Sequence, residues 1–314
     1  MEVLLNVLAI FSITFVVANI FLSALFSLVS QQVLNIQLDS RKLLLWSIVL
    51  LPWLVSVASS GYLFTSYHTN DSLTGYGFPH WHHMADFQWH SWHGVSVIAL
   101  VSYIVFVLAR SIKDLWLHKK EVSALLNFAN EKEAGVYQLE TDNASAFTTG
   151  FFTKKCFVST GLINQTSAEE YDVVIKHEKA HRLANDPFKK WLFSLLSTFF
   201  IKPIGQRLKL HMTLAMEQAA DSAVIESGTP KLFVASTLVK IAKFNAQSSL
   251  LKSNDLVVNF GADVLEQRIY FLLDKLKLAP VHKGITVILL TLLVVISTTS
   301  IDGIHHFMET LFSH

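Results

Sequence analysis

Charge is scarce in this chain. Of its 314 residues only 16% are Asp, Glu, Lys or Arg, where a soluble domain carries about a quarter. Net charge is +1, which gives no reason to expect direct nucleic-acid binding. Cysteine is almost missing. With Cys156 alone, no intramolecular disulfide can form, and a disulfide-stapled secreted domain is excluded. No internal repeat and no low-complexity linker divides the chain. What remains is apolar: 52% of residues are hydrophobic, 23 of them Phe, and mean hydropathy is +0.42.

Four uncharged stretches could each supply the roughly 20 apolar residues that a membrane-crossing helix needs. They are Val3–Val29, Leu43–Phe64 with Pro52 inside it, the short Gly94–Ala109, and Gly284–Ile301. No small-residue cleavage site closes the first, which therefore reads as an anchor rather than a signal peptide. Arg41 and Lys42 lie between the first two stretches, and the other 23 basic residues all fall between Arg110 and Lys283. The positive-inside rule then puts both termini and the 65–93 loop outside and the 110–283 region in the cytoplasm. The expected division is three transmembrane helices with an external loop over 1–109, a cytoplasmic domain over 110–283, and a fourth span with a short external tail over 284–314. The expected location is the cell (inner) membrane, multi-pass.

Within 110–283, "EAGVYQLETDNASAFTTGFFTKKCFVSTGLI" predicts two or three short strands, because β-branched and aromatic residues alternate with turn formers. "TSAEEYDVVIKHEKAHRLANDP" predicts a helix opened by a capping box, Thr166 with Glu169 or Ser167 with Glu170, and ended by Asn185-Asp186-Pro187. Further helices are expected over "LHMTLAMEQAADSAVIES", "PKLFVASTLVKIAKF" and "ADVLEQRIYFLLDKL".

The first of these helices carries "HEKAH". His177 and His181 fall one turn apart on one face, so both imidazoles can reach a single ion. Zn2+ suits nitrogen and oxygen donors and leaves a position open for water in catalytic sites. Glu178 stands beside that position, placed to take a proton from activated water and return it to a leaving amine. Glu217 and Asp221, four apart on a later helix, can supply a third ligand and a carboxylate that orients a ligand. Lys179 points off the metal-facing side. Between the histidines and Glu217 lies the apolar "WLFSLLSTFFI", residues 191–201. At 1.5 Å per residue it spans roughly 17 Å, against about 30 Å for a bilayer. It must therefore be interfacial, re-entrant or packed against the spans if Glu217 is to join the histidines.

"DVVIKHEKAHRLANDP", "WLFSLLSTFF", "EQAADSAVI" and "LEQRIYFLL" together resemble the BlaR/MecR family of membrane metallopeptidases, over most of residues 110–275. "AFTTGFFTKKCFVSTGLI" is similar to the strand pair that family places before its zinc helix. The resemblance implies a fold that is mainly α and integral to the membrane, with four transmembrane helices and a cytoplasmic α+β gluzincin-like zinc peptidase domain containing a short sheet. It implies zinc held by His177, His181 and Glu217, with Glu178 as general base. It also implies a cytoplasmic protein substrate, of the helix-turn-helix repressor kind, cut when an external signal arrives. Antibiotic sensors of that family carry a penicillin-binding domain after the last span. This sequence shows none, so β-lactam sensing is not expected.

The 65–93 loop holds His68, His80, His82, His83, His90 and His93 among three tryptophans. It is either an external metal or pH sensor or an interfacial belt. His118 and His211 read as surface or packed residues, and Cys156 as a structural thiol. Two alternatives stand beside the signalling peptidase. One is an HtpX-like processing or quality-control protease. The other is a non-enzymatic metal-responsive receptor or transporter, disfavoured by the absence of charge within the spans. Expected partners are the lipid bilayer, a cytoplasmic protein substrate and, as a further candidate, a second copy of the chain.

Overall fold

Helix α1, Glu2–Val33, and helix α2, Leu38–Thr69, form the densest helix pair in the molecule. A computed structural model describes residues 1–69, 87–151, 153–249, 255–276, 278–280 and 283–312. Helix α3, Trp92–Asn127, packs on α1 and runs unbroken for 36 residues. It thus continues past Ala109, where its apolar composition ends, and carries Arg110 to Lys120 as a stalk leading into the sheet. Among the described residues, three helices are long and apolar enough to cross a membrane: α1, α2 over Leu38–Tyr67, and α3. Their outward faces bear exposed Leu, Ile, Val and Phe side chains, including Val16, Ile20, Leu54, Ile98 and Phe106, as a lipid-facing surface requires.

The expected fourth span is helix α10, Lys283–Phe312. Its described apolar stretch, Val287–Ser297, is shorter than a crossing needs. Among the described residues, length and composition therefore define three crossing helices.

The sheet has four short strands: β1 (Ala129–Glu133), β2 (Val136–Leu139), β3 (Ala146–Thr149) and β4 (Lys155–Ser159), in the order β1-β2-β4-β3. β2 pairs parallel to β4 with Val136 opposite Cys156, and β3 pairs antiparallel to β4 with Thr149 opposite Lys155. The turn before β2 uses Gly135 at φ 79°, a conformation cheap only for glycine. β3 is thereby left at an edge. Short helix α4 (Thr160–Gln165) follows, its Ser159 cap accepting from the Leu162 amide at 3.0 Å.

Helix α5, Ala168–Ala184, opens with the Ser167/Glu170 capping box, both of whose hydrogen bonds form. It ends at Asn185 in the left-handed conformation, φ 60°, which Asn tolerates better than most residues. The chain bends there and immediately begins helix α6, Asp186–Ser197. After a tight turn, helix α7, Lys202–Glu226, packs back along α6. The approach is close at Gly205, where a Cβ would stand 2.5 Å from the Ser197 carbonyl oxygen. Segment 191–201 is therefore packed against the spans. Phe193 and Phe200 join Leu22, Phe26, Leu45, Val49, Leu208, Met212 and Met216 in the largest core cluster, and Phe199 stacks edge-on against Phe15, Trp53 and Tyr103. Helices α8 (Lys231–Ser249) and α9 (Asp255–Leu272) close the other side of α5 and α7.

Candidate metal centre

Three elements meet over one cleft of about 400 Å3: the edge strand β3, helix α5 and helix α7. The capping box fixes the start of α5. Thr148 on β3 donates its hydroxyl to the Glu178 carbonyl at 2.9 Å, tying the sheet edge to the middle of the helix. His177 and His181 consequently face the cleft together. Their Nε2 atoms lie 3.1 Å apart. Glu217 approaches both from α7, with Oε2 at 3.3 Å from His177 Nε2 and Oε1 at 3.7 Å from His181 Nε2.

These separations suit one ion. Ligands at about 2.0–2.1 Å in a tetrahedron stand about 3.3 Å from each other, and the three donor atoms sit close to that spacing. Among the described residues this is the one group of His, Cys, Asp or Glu side chains that could hold a metal. Glu178 is buried with them and lines the same cleft.

The far nitrogens of both rings meet carboxylates. His181 Nδ1 lies 2.7 Å from Asp186 Oδ2 and His177 Nδ1 lies 3.0 Å from Asp221 Oδ1. The Asp186 hydrogen bond fixes the His181 tautomer so that its Nε2 keeps a lone pair for the ion, while Asp221 stands at ion-pair distance from His177 without hydrogen-bond alignment. Asp221 is itself wholly buried and takes a two-pronged pair from Arg268 on α9, at 2.9 and 2.7 Å. The third guanidinium nitrogen of Arg268 reaches Glu217 Oε2 at 3.0 Å.

Electrostatics point the same way. Four carboxylates line the cleft, Glu178, Asp186, Glu217 and Asp221, against two cations, Arg268 and Lys190. With neutral imidazoles the centre therefore carries excess negative charge. Burial by itself lowers the His181 imidazole, but the Asp186 hydrogen bond and Glu217 carry it up to about 10. His177 is raised too, burial being outweighed by Asp221 and Glu217. Burial works against ionised Glu217, yet the two histidines and Arg268 hold it well below the usual carboxylate range. Asp221 is lowered by His177 and Arg268 against its own burial. A bound divalent ion would bring positive charge to these same carboxylates.

Of the residues expected from sequence, His177, Glu178, His181, Glu217 and Asp221 all converge. Asp186 and Arg268 do not figure in the sequence reading. Asp186 stands there only as part of a helix stop, and no local pattern marks Arg268. Lys179 points to Glu133 at 3.7 Å, away from the ligands. His118 bonds Thr149 at 2.8 Å, and His211 packs edge-on against Phe26. Cys156 is buried in the sheet core. His80, His82 and His83 lie outside the described residues, as does the side chain of His68. His90 is exposed, and His93 stacks on Trp92.

Two histidines a turn apart, enclosing a glutamate and closed by a second helix's carboxylate beside a strand edge, define the metal-dependent peptidases as a class. Comparison with family models agrees: residues 111–253 match peptidase family M48. The matched stretch covers somewhat under half of the chain and contains β1 to α8. It indicates a metallopeptidase of membrane type without singling out the BlaR/MecR kind. No curated protein and no solved structure matches the chain.

Proposed function

We propose that this protein is a zinc-dependent integral membrane endopeptidase, with its centre on the cytoplasmic side and a cytoplasmic protein as substrate. The observation that carries the proposal is the convergence of His177 Nε2, His181 Nε2 and a Glu217 carboxylate oxygen within 4.8 Å of one another, beside Glu178. His177, His181 and Glu217 would hold the ion, and Asp221 and Asp186 would orient the two rings. When bound, zinc supplies Lewis-acid activation of water and of the scissile carbonyl. The Glu178 carboxylate accepts a proton from the attacking water and delivers it to the leaving amine. Ser145, Ala146, Phe147 and Thr148 line the cleft along β3. A substrate segment laid there in extended form would pair with the backbone of that free edge and present its scissile bond to Glu178.

Within this class the substrate is a repressor-like protein cut in a transmembrane signalling circuit, as the BlaR/MecR resemblance implies. One observation favours a second substrate type. Helix α7, which carries Glu217, is seated in the α1–α2 core. Such seating supports a cleft close to the bilayer, where a processing protease would meet membrane proteins.

Glu178→Gln tests the enzyme reading. The variant should keep one equivalent of zinc and lose at least about a thousandfold in cleavage, while trapping its substrate. A trapped cytoplasmic DNA-binding protein supports signalling, and a trapped membrane protein supports processing. Undiminished proteolysis by Glu178→Gln sinks the proposal.

A further inference from the structure

A second concavity, of about 540 Å3, opens between α3 and the α6–α7 hairpin, and shares no lining residue with the metal centre's cleft. One face of α3 forms one wall. Its residues Tyr103, Phe106 and Val107 are apolar in character, and one to two turns further on the same face presents Arg110, Ser111 and Asp114. The opposite wall is mixed: Leu195 and Phe200 stand with Ser194 and Thr198, and Lys202 and Lys209 follow on α7. Along roughly 16 Å of helix axis, the α3 wall therefore passes from apolar to charged.

The cationic end is uncompensated. Among the described residues, Arg110, Lys202 and Lys209 take part in no ion pair, and the lining's one carboxylate, Asp114, joins none of them. Lys209 is half-buried, and burial and then the charge of Arg110 lower its ammonium. Trp191, in the same lining, buries its indole N–H without a hydrogen-bond partner. A half-buried ammonium beside a like charge and an orphan donor is costly unless an anion completes it. The lower half adjoins the lipid-facing surface of α3, where Phe106 is 61% exposed.

We propose that this groove binds one anionic phospholipid. The phosphate lies between Arg110 and Lys209, and an acyl chain lies along Phe106 and Leu195. A pocket of several hundred cubic ångströms accommodates a headgroup and the upper part of a chain. Basic recesses between helices at the cytoplasmic surface suit such headgroups. The change in polarity along the groove selects an amphiphile over a free anion. The bound lipid would brace α3 against the hairpin that leads from Asp186 to Glu217.

Native mass spectrometry of the full-length protein in detergent tests this, with phosphatidylglycerol, phosphatidylcholine or inorganic phosphate as probe. The wild type should retain one phosphatidylglycerol and no phosphatidylcholine, and millimolar phosphate should not displace it. Arg110→Gln with Lys209→Gln should weaken retention roughly thirtyfold. Lys113→Gln with Lys119→Gln, which removes equal charge from exposed sites on α3, should leave it unchanged. An unchanged thermal midpoint in zwitterionic detergent will show that both variants fold. Equal retention by the Arg110/Lys209 variant overturns the proposal. So does equal weakening by the control pair, which would mean general surface charge. Displacement by phosphate alone would make the site one for a free anion and overturn it too.

Discussion

Arg268→Met isolates the electrostatic frame of the centre from its ligands. The guanidinium pairs with fully buried Asp221 through two nitrogens and with Glu217 through the third. Side-chain exposures are 12% for Arg268, 0% for Asp221 and 24% for Glu217, so solvent screens the cluster weakly. Removing one member of such a buried group leaves the other charges stranded and costs about 3–5 kcal/mol. Met fills a similar volume, so little of the loss would come from a cavity. In metal-free protein this should lower the thermal midpoint by on the order of 10 °C, taking about 2–4 °C per kcal/mol for a chain of this size. Zinc should then rescue the variant more than the wild type. A cation at Glu217 offsets the charge that Arg268 no longer meets, and ligand linkage adds its own stabilisation to the folded state. Arg268→Lys should fall between, because an ammonium cannot make the forked contact. Differential scanning fluorimetry in detergent, with chelator and with added zinc, reads all three proteins in both states. A metal-free midpoint within about 2 °C of wild type, or a smaller zinc-induced rise in Arg268→Met than in wild type, would refute the reasoning.

Asp186→Asn should weaken zinc binding by about 10–100-fold in a chelator competition, since it removes the carboxylate that orients His181, while leaving the helical circular dichroism spectrum unchanged. An unaltered zinc affinity would show that the 2.7 Å contact does not position the ring. For Cys156, burial and then the charge of Glu178 push the thiol up to about 12. A raised thiol pKa means less thiolate at any pH below it. Iodoacetamide at pH 8 should therefore label the native protein far more slowly than the denatured one, and fast native labelling would contradict the buried placement.

The parts of the centre legible in sequence are those set by helix periodicity alone. His177 and His181 share a face because they are four apart, and so do Glu217 and Asp221. The capping box at Ser167 and Glu170 was equally local, and both of its bonds form. Asp186 escaped because its role depends on one left-handed residue. Asn185 turns the chain so that the first side chain of α6 points back at His181. Arg268 escaped because only tertiary packing of α9 on α7 brings it to Asp221. β1, "ANEKE", shows no alternation because almost all of it is exposed, and α3 outlasts its apolar stretch because charged residues propagate a helix as readily as apolar ones.

Arg41 shows how far the membrane helices take part in the centre. From sequence it was a topology marker between two spans. In the structure it is buried in the first turns of α2, donating to the side-chain oxygen of Gln218 and to the Leu34 carbonyl. Gln218 in turn donates to the Gln267 carbonyl at 3.2 Å. Gln218 adjoins Glu217, and Gln267 adjoins Arg268. A buried charge persists only where such hydrogen bonds meet it, so α2, α7 and α9 are held in one polar junction beside the metal ligands. The apolar packing leads to the same place. Phe193, Phe200, Leu208, Met212 and Met216 are covered by Leu22, Phe26, Leu45 and Val49 of α1 and α2. Without those two helices the wall of α7 opposite Glu217 would face water. The boundary expected near residue 110 is therefore not a boundary of packing, because α1 and α2 form one side of the fold that places Glu217.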